Sequence, residues 1–433
     1  MTTSITRRRF VTAGARAALL AGSAASFERV LGANERIRAG FIGAGNRGSQ
    51  LLEAAAPNPD LAIVALCDVY EPYLKRESGK LGGEVAQYRD FRALIERRDI
   101  DAVFVATPDH WHAIQTIAAC YAGKDVYVEK PLTITIHEGR RIVEAARRNA
   151  RIVQVGTQRR SSAIYAQAVD CVRAGTIGKV TVARTYRLSN MFPAGIGVAP
   201  DSAPPPDLDW DLWLGPRPAR PFNVNIAPYK FRWWELYSSQ VANWGVHYFD
   251  AIRWMLGEEA PASLSAHGGR FAVNDARTIP DTLEVTYEFA SGCLLVFGQY
   301  EASGNDALRS GELELRGTLG TLYAEGRQFE IVPERGGQFQ DRAPRLEPQV
   351  VRGGESDPTP QHIRNFLDCV KSRAVPNADA EVGHRSTTFA LLANIALATR
   401  ARIEWDPVSE RVTNHAAANE LLHYEYRAPW KLG

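Results

Sequence analysis

The chain has 433 residues, 45% of them hydrophobic, which is longer than a single core usually grows and apolar enough to fill two. With 51 basic against 49 acidic residues the net charge is +2, so the broad positive field needed for nucleic acid or an anionic membrane surface is missing, and small molecules are the expected partners. The five cysteines, Cys67, Cys120, Cys171, Cys293 and Cys369, include no Cys-x-x-Cys pair, which argues against a zinc ribbon, a cluster site or a disulfide framework.

Residues 1–33 differ in kind from the rest. Thr6-Arg7-Arg8-Arg9-Phe10-Val11 precedes an Ala/Gly/Leu stretch running to Ala25, interrupted by Arg16, and small-residue cleavage candidates such as Leu31-Gly32-Ala33 follow. The pattern resembles a twin-arginine export signal and implies a periplasmic or secreted protein. No other segment approaches the ~20 continuous apolar residues of a membrane span, so no membrane partner is expected.

Ile37 to Ile42 reads as a short apolar strand that runs into Gly43-Ala44-Gly45-Asn46-Arg47-Gly48 and then into helix-like Ser49 to Ala54. The next apolar strand, Leu61 to Cys67, ends in Asp68, 20 residues beyond Gly48. A glycine motif between its strand and its helix, with an acid at that distance, predicts a dinucleotide-binding Rossmann domain. Gly43 allows the tight turn, Gly45 lets the backbone approach a pyrophosphate, Gly48 lets helix and strand pack, and the helix start offers N–H groups to the anion. Asp68 is expected to accept both adenosine ribose hydroxyls, which favours NAD; NADP stays open because Arg47 is near enough in sequence to soften the preference.

The alternation continues with helix-like Phe91 to Arg97, strand Ala102 to Ala106, helix His112 to Tyr121, strand Asp125 to Val128, helix Ile136 to Arg148 and strand Arg151 to Val155, a series that predicts a parallel sheet. Thr135 and Glu138 form a capping box, which makes His137 a first-turn surface residue. Ligands bind outside the carboxyl ends of such strands. Those ends carry Thr107-Pro108-Asp109-His110-Trp111-His112, Glu129-Lys130-Pro131 and Gly156-Thr157-Gln158-Arg159-Arg160. Thr107, Pro108, His112, Glu129, Lys130 and Gln158 therefore join Asn46 and Arg47 as candidate cofactor contacts, and Arg159 is a candidate substrate contact.

After helix-like Ala163 to Ala174, strand Val180 to Leu188 opens a different region. About forty irregular residues rich in proline and tryptophan follow, expected to form a lid whose aromatic rings, with Tyr229 and Trp233 as candidate substrate contacts, line a carbohydrate site or pack a domain interface. Strands are expected at Leu264 to Phe271, Thr282 to Phe289, Cys293 to Tyr300, Glu312 to Arg316 and Thr321 to Ala324, with a hairpin turn at Ser291-Gly292. Helices at Gln361 to Ser372 and Ser386 to Arg400 are expected to close this second domain, ahead of an irregular tail. The expected division is 1–33 export signal, 34–157 Rossmann domain, 158–405 α+β domain and 406–433 tail. His384, His415 and His423 lack ligand spacing, so no metal is expected.

Taken together, residues from about Arg36 to about Arg402 resemble the Gfo/Idh/MocA family of NAD(P)-dependent sugar and polyol oxidoreductases. The resemblance implies an α/β Rossmann domain with a parallel sheet, followed by an α+β domain with an open, mostly antiparallel sheet whose outer face commonly makes dimers or larger assemblies, so a homo-oligomer is expected. Its most specific motif is Glu129-Lys130-Pro131, whose lysine in that family lies beside the nicotinamide and the reacting oxygen; by resemblance Lys130 takes that catalytic role, an ammonium stabilising developing negative charge. A second family motif, Asp-x-Gly-x-His-x-x-Asp on a helix, appears as Asn243-Trp244-Gly245-Val246-His247-Tyr248-Phe249-Asp250. Asn243 and His247 are four apart and share a face, with Asp250 close to His247. His247 is then the expected general acid/base, its tautomer set by a neighbour, and Asn243, standing where the family has aspartate, is expected to orient the ring or bond a substrate hydroxyl. Leu208 to Pro216 resembles a segment common in exported branches of the family.

These readings predict an enzyme that transfers hydride between NAD and a secondary hydroxyl or ketone of a sugar, glycoside or polyol, holding its cofactor tightly because export separates it from the soluble pool. One alternative is a glycoside-cleaving or epimerising enzyme working by transient oxidation; the family's glycosidases typically lack a lysine equivalent to Lys130. The other is a non-catalytic sugar-binding protein, for which Asn243 is the only argument.

Overall fold

The computed structural model describes residues 36–82, 85–353 and 355–433; the export signal read from residues 1–33 lies outside the described residues. The first region alternates as β1 (Ile37–Ile42), α1 (Asn46–Ala55), β2 (Leu61–Cys67), α2 (Glu71–Leu81), β3 (Ala86–Tyr88), α3 (Phe91–Ile95), β4 (Ala102–Val105), α4 (His112–Tyr121), β5 (Asp125–Val128), α5 (Ile136–Arg148) and β6 (Val153–Val155). The six strands pair in parallel in the order β3-β2-β1-β4-β5-β6. Because helices cover both faces, β4 and β5 are buried along their whole length, β4 as a continuous apolar run and β5 as one from Val126 onward. The Thr135–Glu138 capping box is formed. The helix α2 was not expected: it buries only Leu74 and Glu77, too thin an apolar stripe to signal itself.

The second region follows through α6 (Ala163–Arg173), β7 (Val180–Asn190), α7 (Trp210–Leu214), α8 (Val246–Leu256), β8 (Ser263–Gly269), β9 (Thr282–Glu288), β10 (Leu294–Tyr300), β11 (Ala302–Ser303), β12 (Leu313–Gly317), β13 (Gly320–Ala324), β14 (Gln328–Pro333), β15 (Gln349–Arg352), α9 (Thr359–Ser372), α10 (Ala380–Thr399), β16 (Ile403–Asp406) and β17 (Arg411–Val412). Its sheet runs β15-β14-β13-β12-β7-β10-β9-β8-β16-β17, with β11 beside β7; β7 and β10 pair in parallel and the other pairs are antiparallel. In β9, buried Leu283, Val285 and Tyr287 alternate with Glu284 and Thr286, the period-two pattern of a sheet packed on one face. That face meets α8 and α10, with the rings of Phe249, Tyr287 and Phe297 at centroid distances of 5.3 Å. β14 to β17 were not anticipated; three of the four are four residues or shorter.

Three expectations need correction. First, α9 does not close the second domain: Ile363, Phe366, Leu367 and Val370 complete the core of the first, where Phe366 meets Phe104 edge-on at 5.5 Å. Second, α10 begins at Ala380 rather than Ser386, because Asp379 caps it by accepting the Val382 N–H at 2.8 Å. Third, the tryptophan-rich segment is not a free lid. Trp210, Trp213, Phe222, Phe231, Trp234 and Tyr237 bury one another in a core of their own. It is fixed to the first domain by backbone and side-chain bonds, including Trp111 Nε1 to the Trp213 carbonyl at 3.1 Å. The tail returns there too, setting Trp430 edge-on to Trp111 at 4.7 Å. Among the described residues no helix is long and apolar enough to cross a membrane.

Candidate active site

A cavity of about 460 Å³ lies between the carboxyl ends of the parallel strands and the second domain. On its first-domain side, β1 delivers the chain to Gly43, whose φ of +93° favours glycine, and a side chain at Gly48 would collide with the Gly43 carbonyl oxygen. Gly45 begins α1 without any side-chain cap, so the helix start is open to an anion. At the end of β2 the Asp68 carboxylate accepts the N–H groups of Ala44 (2.7 Å) and Tyr70 (2.9 Å), tying strand and loop together; burial pushes its carboxyl up to about 6. A bare loop, an uncapped helix start and a carboxylate at the next strand end fit a dinucleotide. Among the described residues, three that line the cavity carry a buried polar atom without a partner, Gln158 Oε1, Arg187 Nε and His247 Nδ1.

Several expected cofactor contacts have other work. Arg47 does not stand beside Asp68: its Nε donates to Glu129 at 2.8 Å and its Nη2 to Thr359 at 3.2 Å. Burial opposes its charge, but Glu129 more than offsets that and holds the guanidinium protonated. It is therefore placed to brace the loop against β5, not to receive a 2′-phosphate. The guanidinium on the Asp68 side is Arg76, which donates to the Ala44 carbonyl at 2.8 Å and lies 4.7 Å over the Tyr73 ring. His112 places Nδ1 2.7 Å from the Pro131 carbonyl and Nε2 3.0 Å from that of Thr107, so it pins two loops together and has no ring nitrogen left for a ligand. Thr107 donates to Gln115 at 2.8 Å; Thr107, Pro108, Asn46 and Gln158 line the cavity as expected.

Opposite them, Lys130 Nζ donates to Asn243 twice, to the backbone carbonyl at 2.7 Å and to Oδ1 at 2.9 Å. Burial lowers its pKa to about 8, with Arg232 and Arg47 pushing the same way and Glu129 and Asp109 opposing. Val241–Gly245 forms a π-helical turn ahead of α8, which departs from α-helical spacing and turns the Asn243 side chain to Lys130 instead of His247. The amide's other end donates to Gln240 Oε1 at 3.3 Å. Asp250 does not serve His247 either: it accepts Arg160 at 2.9 Å and Ser386 at 2.7 Å. His247, buried and without a hydrogen-bond partner among the described residues, has its pKa driven well below the usual range by burial and then by the charges of Lys130, Arg159 and Arg47.

Arg159 lines the cavity, and its guanidinium forks onto Glu312 at 2.7 and 2.6 Å. Tyr229, 46% exposed, and Trp233 do line the cavity. Sequence reasoning missed Asp109, buried and bonded by Ser238, Arg187, stacked 3.9 Å over Trp244, and Gln240 and Glu301 behind Asn243. Asp109 stands in a noted strand-end motif; nothing in the chain marks the others, because Arg187 meets Trp244 57 residues on and Gln240 meets Glu301 61 residues on.

Residues 37–157 match the family model described as "Oxidoreductase family, NAD-binding Rossmann fold", and residues 169–432 match "Oxidoreductase family, C-terminal alpha/beta domain", both of the Gfo/Idh/MocA group. A myo-inositol 2-dehydrogenase of Thermotoga maritima is 27% identical over 380 residues, covering 86% of this chain and 99% of that one. An inositol 2-dehydrogenase of Salmonella typhimurium is 32% identical over 145 residues, 33% of this chain, and the match spans 43% of that enzyme. The crystal structure of an oxidoreductase domain protein from Kribbella flavida shares the fold, with a TM-score of 0.66 at 19% identity over 85% of this chain and 99% of that one.

Proposed function

The chain belongs to the Gfo/Idh/MocA oxidoreductase family, and from that premise we propose that it moves hydride between NAD and a secondary hydroxyl or ketone of a cyclic polyol, sugar or glycoside. The observation that carries the reading is the Lys130 amine, held by two Asn243 oxygens in the cavity that also contains the glycine loop and Asp68. Gly43 to Gly48, the start of α1 and Asp68 would hold the dinucleotide, and when bound its nicotinamide supplies the hydride acceptor or donor.

The chain's own residues handle the proton. His247 was the expected base, yet a ring whose protonation is opposed by burial and three cations is a poor proton holder. Lys130, near 8, is better matched to neutral pH. In oxidation its neutral amine accepts the hydroxyl proton at Nζ while hydride leaves the carbon; in reduction the ammonium returns it. His247, kept neutral, hydrogen-bonds and orients the hydroxyl. Oxidation therefore requires the deprotonated amine and rises as pH passes through about 8, whereas reduction falls over the same range.

In this reading the protein is exported by the twin-arginine route and keeps its dinucleotide through a redox-neutral cycle, as a homo-oligomer. The test is to purify the exported protein, assay it for co-purifying dinucleotide, and follow reduced-nicotinamide absorbance with inositols, aldoses and glucosides. Bound dinucleotide and reduction by at least one polyol are expected; an apo protein inert to the panel with added NAD would sink the proposal.

A further inference from the structure

Glu301, between β10 and β11, is 1% exposed and bonds to neither Lys130 nor His247. It accepts Arg277 Nη1 at 2.5 Å, Gln240 Nε2 at 3.0 Å and Trp233 Nε1 at 3.2 Å. Arg277, fully buried, is anchored by Asp275 at 2.9 and 3.0 Å. From Gln240 the bonds run on toward Lys130: Asn243 Nδ2 donates to Gln240 Oε1 at 3.3 Å, and Lys130 Nζ donates to Asn243 Oδ1 at 2.9 Å.

Two amides in series, taken alone, have two orientations with the same number of hydrogen bonds. Here one end is not free to choose. Burial pushes the Glu301 carboxyl up and Arg277 opposes that; as a carboxylate paired with the guanidinium it only accepts, so Gln240 must turn its NH2 to Glu301 and its oxygen to Asn243. Asn243 must then turn its NH2 to Gln240 and its oxygen to Lys130. Flipping either amide would place N–H against N–H inside a buried site, at the cost of an unsatisfied donor.

We propose that Glu301 is a positioning residue for Lys130: through Gln240 and Asn243 its carboxylate fixes the direction of both amides, so that the lysine amine always faces an oxygen and never an NH2. The significance of that alignment rests on the acid–base role given to Lys130 in the preceding subsection; the alignment itself does not. With the relay reversed, the ammonium loses one acceptor and the neutral amine gains a donor, so Lys130 deprotonates at lower pH. The charged groups that face Lys130 otherwise are Glu129, Asp109, Arg232 and Arg47, with neutral His247 beside it, and none of them belongs to the relay.

Competitive acetylation with acetic anhydride across pH, read at Lys130 by peptide mass spectrometry on the whole protein, measures the amine without any substrate. The wild-type midpoint is expected near 8. Glu301→Gln replaces the all-accepting carboxylate by an amide that can turn either its oxygen or its NH2 to Gln240, so the relay becomes free to reverse and the midpoint falls by up to about one unit. In a Gln240→Met background the relay is cut and the same Glu301→Gln change moves the midpoint little. An unmoved midpoint in the single variant overturns the proposal, as does an equal shift in both backgrounds, which would mean that the lost charge acts through space. If Glu301→Gln fails to fold, Gln240→Met alone decides, because freeing Asn243 lowers the midpoint by about half a unit and no change is fatal. The shift without any hydride transfer would sink the functional reading only; turnover with an unmoved midpoint would sink the relay only.

Discussion

The cavity has two walls that are held in different ways. On the first-domain wall, positions are set by backbone: a glycine with φ of +93°, an uncapped helix start, and Asp68 bonded to two N–H groups within 24 residues of itself. On the second-domain wall, positions are set by side chains that meet across long separations, Lys130 with Asn243 over 113 residues, Arg159 with Glu312 over 153, and Gln240 with Glu301 over 61. A backbone-built wall tolerates only the residues its geometry admits and can change little without ceasing to bind. A side-chain wall is adjustable, because one exchange retunes a neighbour's charge or direction while the strands behind it stay in place. Dinucleotide binding should therefore fail abruptly and proton handling should shift by degrees.

The largest effect is expected at Lys130, the proposed acid–base group. Lys130→Met should lower kcat about 10³-fold with dinucleotide affinity nearly unchanged, measured by turnover and by fluorescence titration; turnover near wild type would remove Lys130 from the chemistry. Gly48→Ala tests the rigid wall, since its new methyl meets the Gly43 carbonyl and the backbone on both sides must shift. Dinucleotide affinity is expected to fall about 100-fold by calorimetric titration, and a loss under threefold would show that the loop yields. Asp68→Ala should weaken NAD about tenfold while leaving NADP less affected, so that the ratio of their dissociation constants narrows. An unchanged ratio would mean that Asp68 only braces the Ala44 and Tyr70 backbone. The smallest change is a shift, not a loss: Asn243→Asp sets a carboxylate against the lysine amine and raises its pKa by about one unit. The rising limb of the oxidation rate then moves to higher pH, and a limb that stays in place would separate Asn243 from Lys130 titration.

The same contrast explains what could be read from the chain. Local rules located β1, β2, α4, β5 and α5 to the residue, because burial on both faces gives unbroken apolar runs and Thr135 with Glu138 marks a helix start. The glycine loop and Asp68 were legible for the same reason, each being a requirement on neighbours in sequence. Where a residue's duty depends on a partner far along the chain, the reading went astray. Arg47 was expected on the ribose side and is bonded to Glu129, 82 residues on, and Arg159, expected on substrate, lines the cavity bonded to Glu312, 153 residues on. The helix α9 carries a clear amphipathic stripe, but nothing in the stripe says which sheet it covers, and it covers the first.

By itself the sequence determined the family, the Rossmann domain, the second sheet's main strands and the residue types at the reactive centre, since each follows from periodicity, turn chemistry or a contiguous motif. Only the tertiary structure decided what those residues do to one another. A π-helical turn sets Asn243 on Lys130 and not on His247, burial and neighbouring cations disfavour a proton on the histidine and bring the lysine to about 8, and Gln240, bonded to Asn243, meets a buried carboxylate 58 residues beyond Asn243. Hydrogen-bond direction, desolvation and Coulomb attraction all depend on distance in space, and in this fold the decisive distances are short between residues that are far apart in the chain.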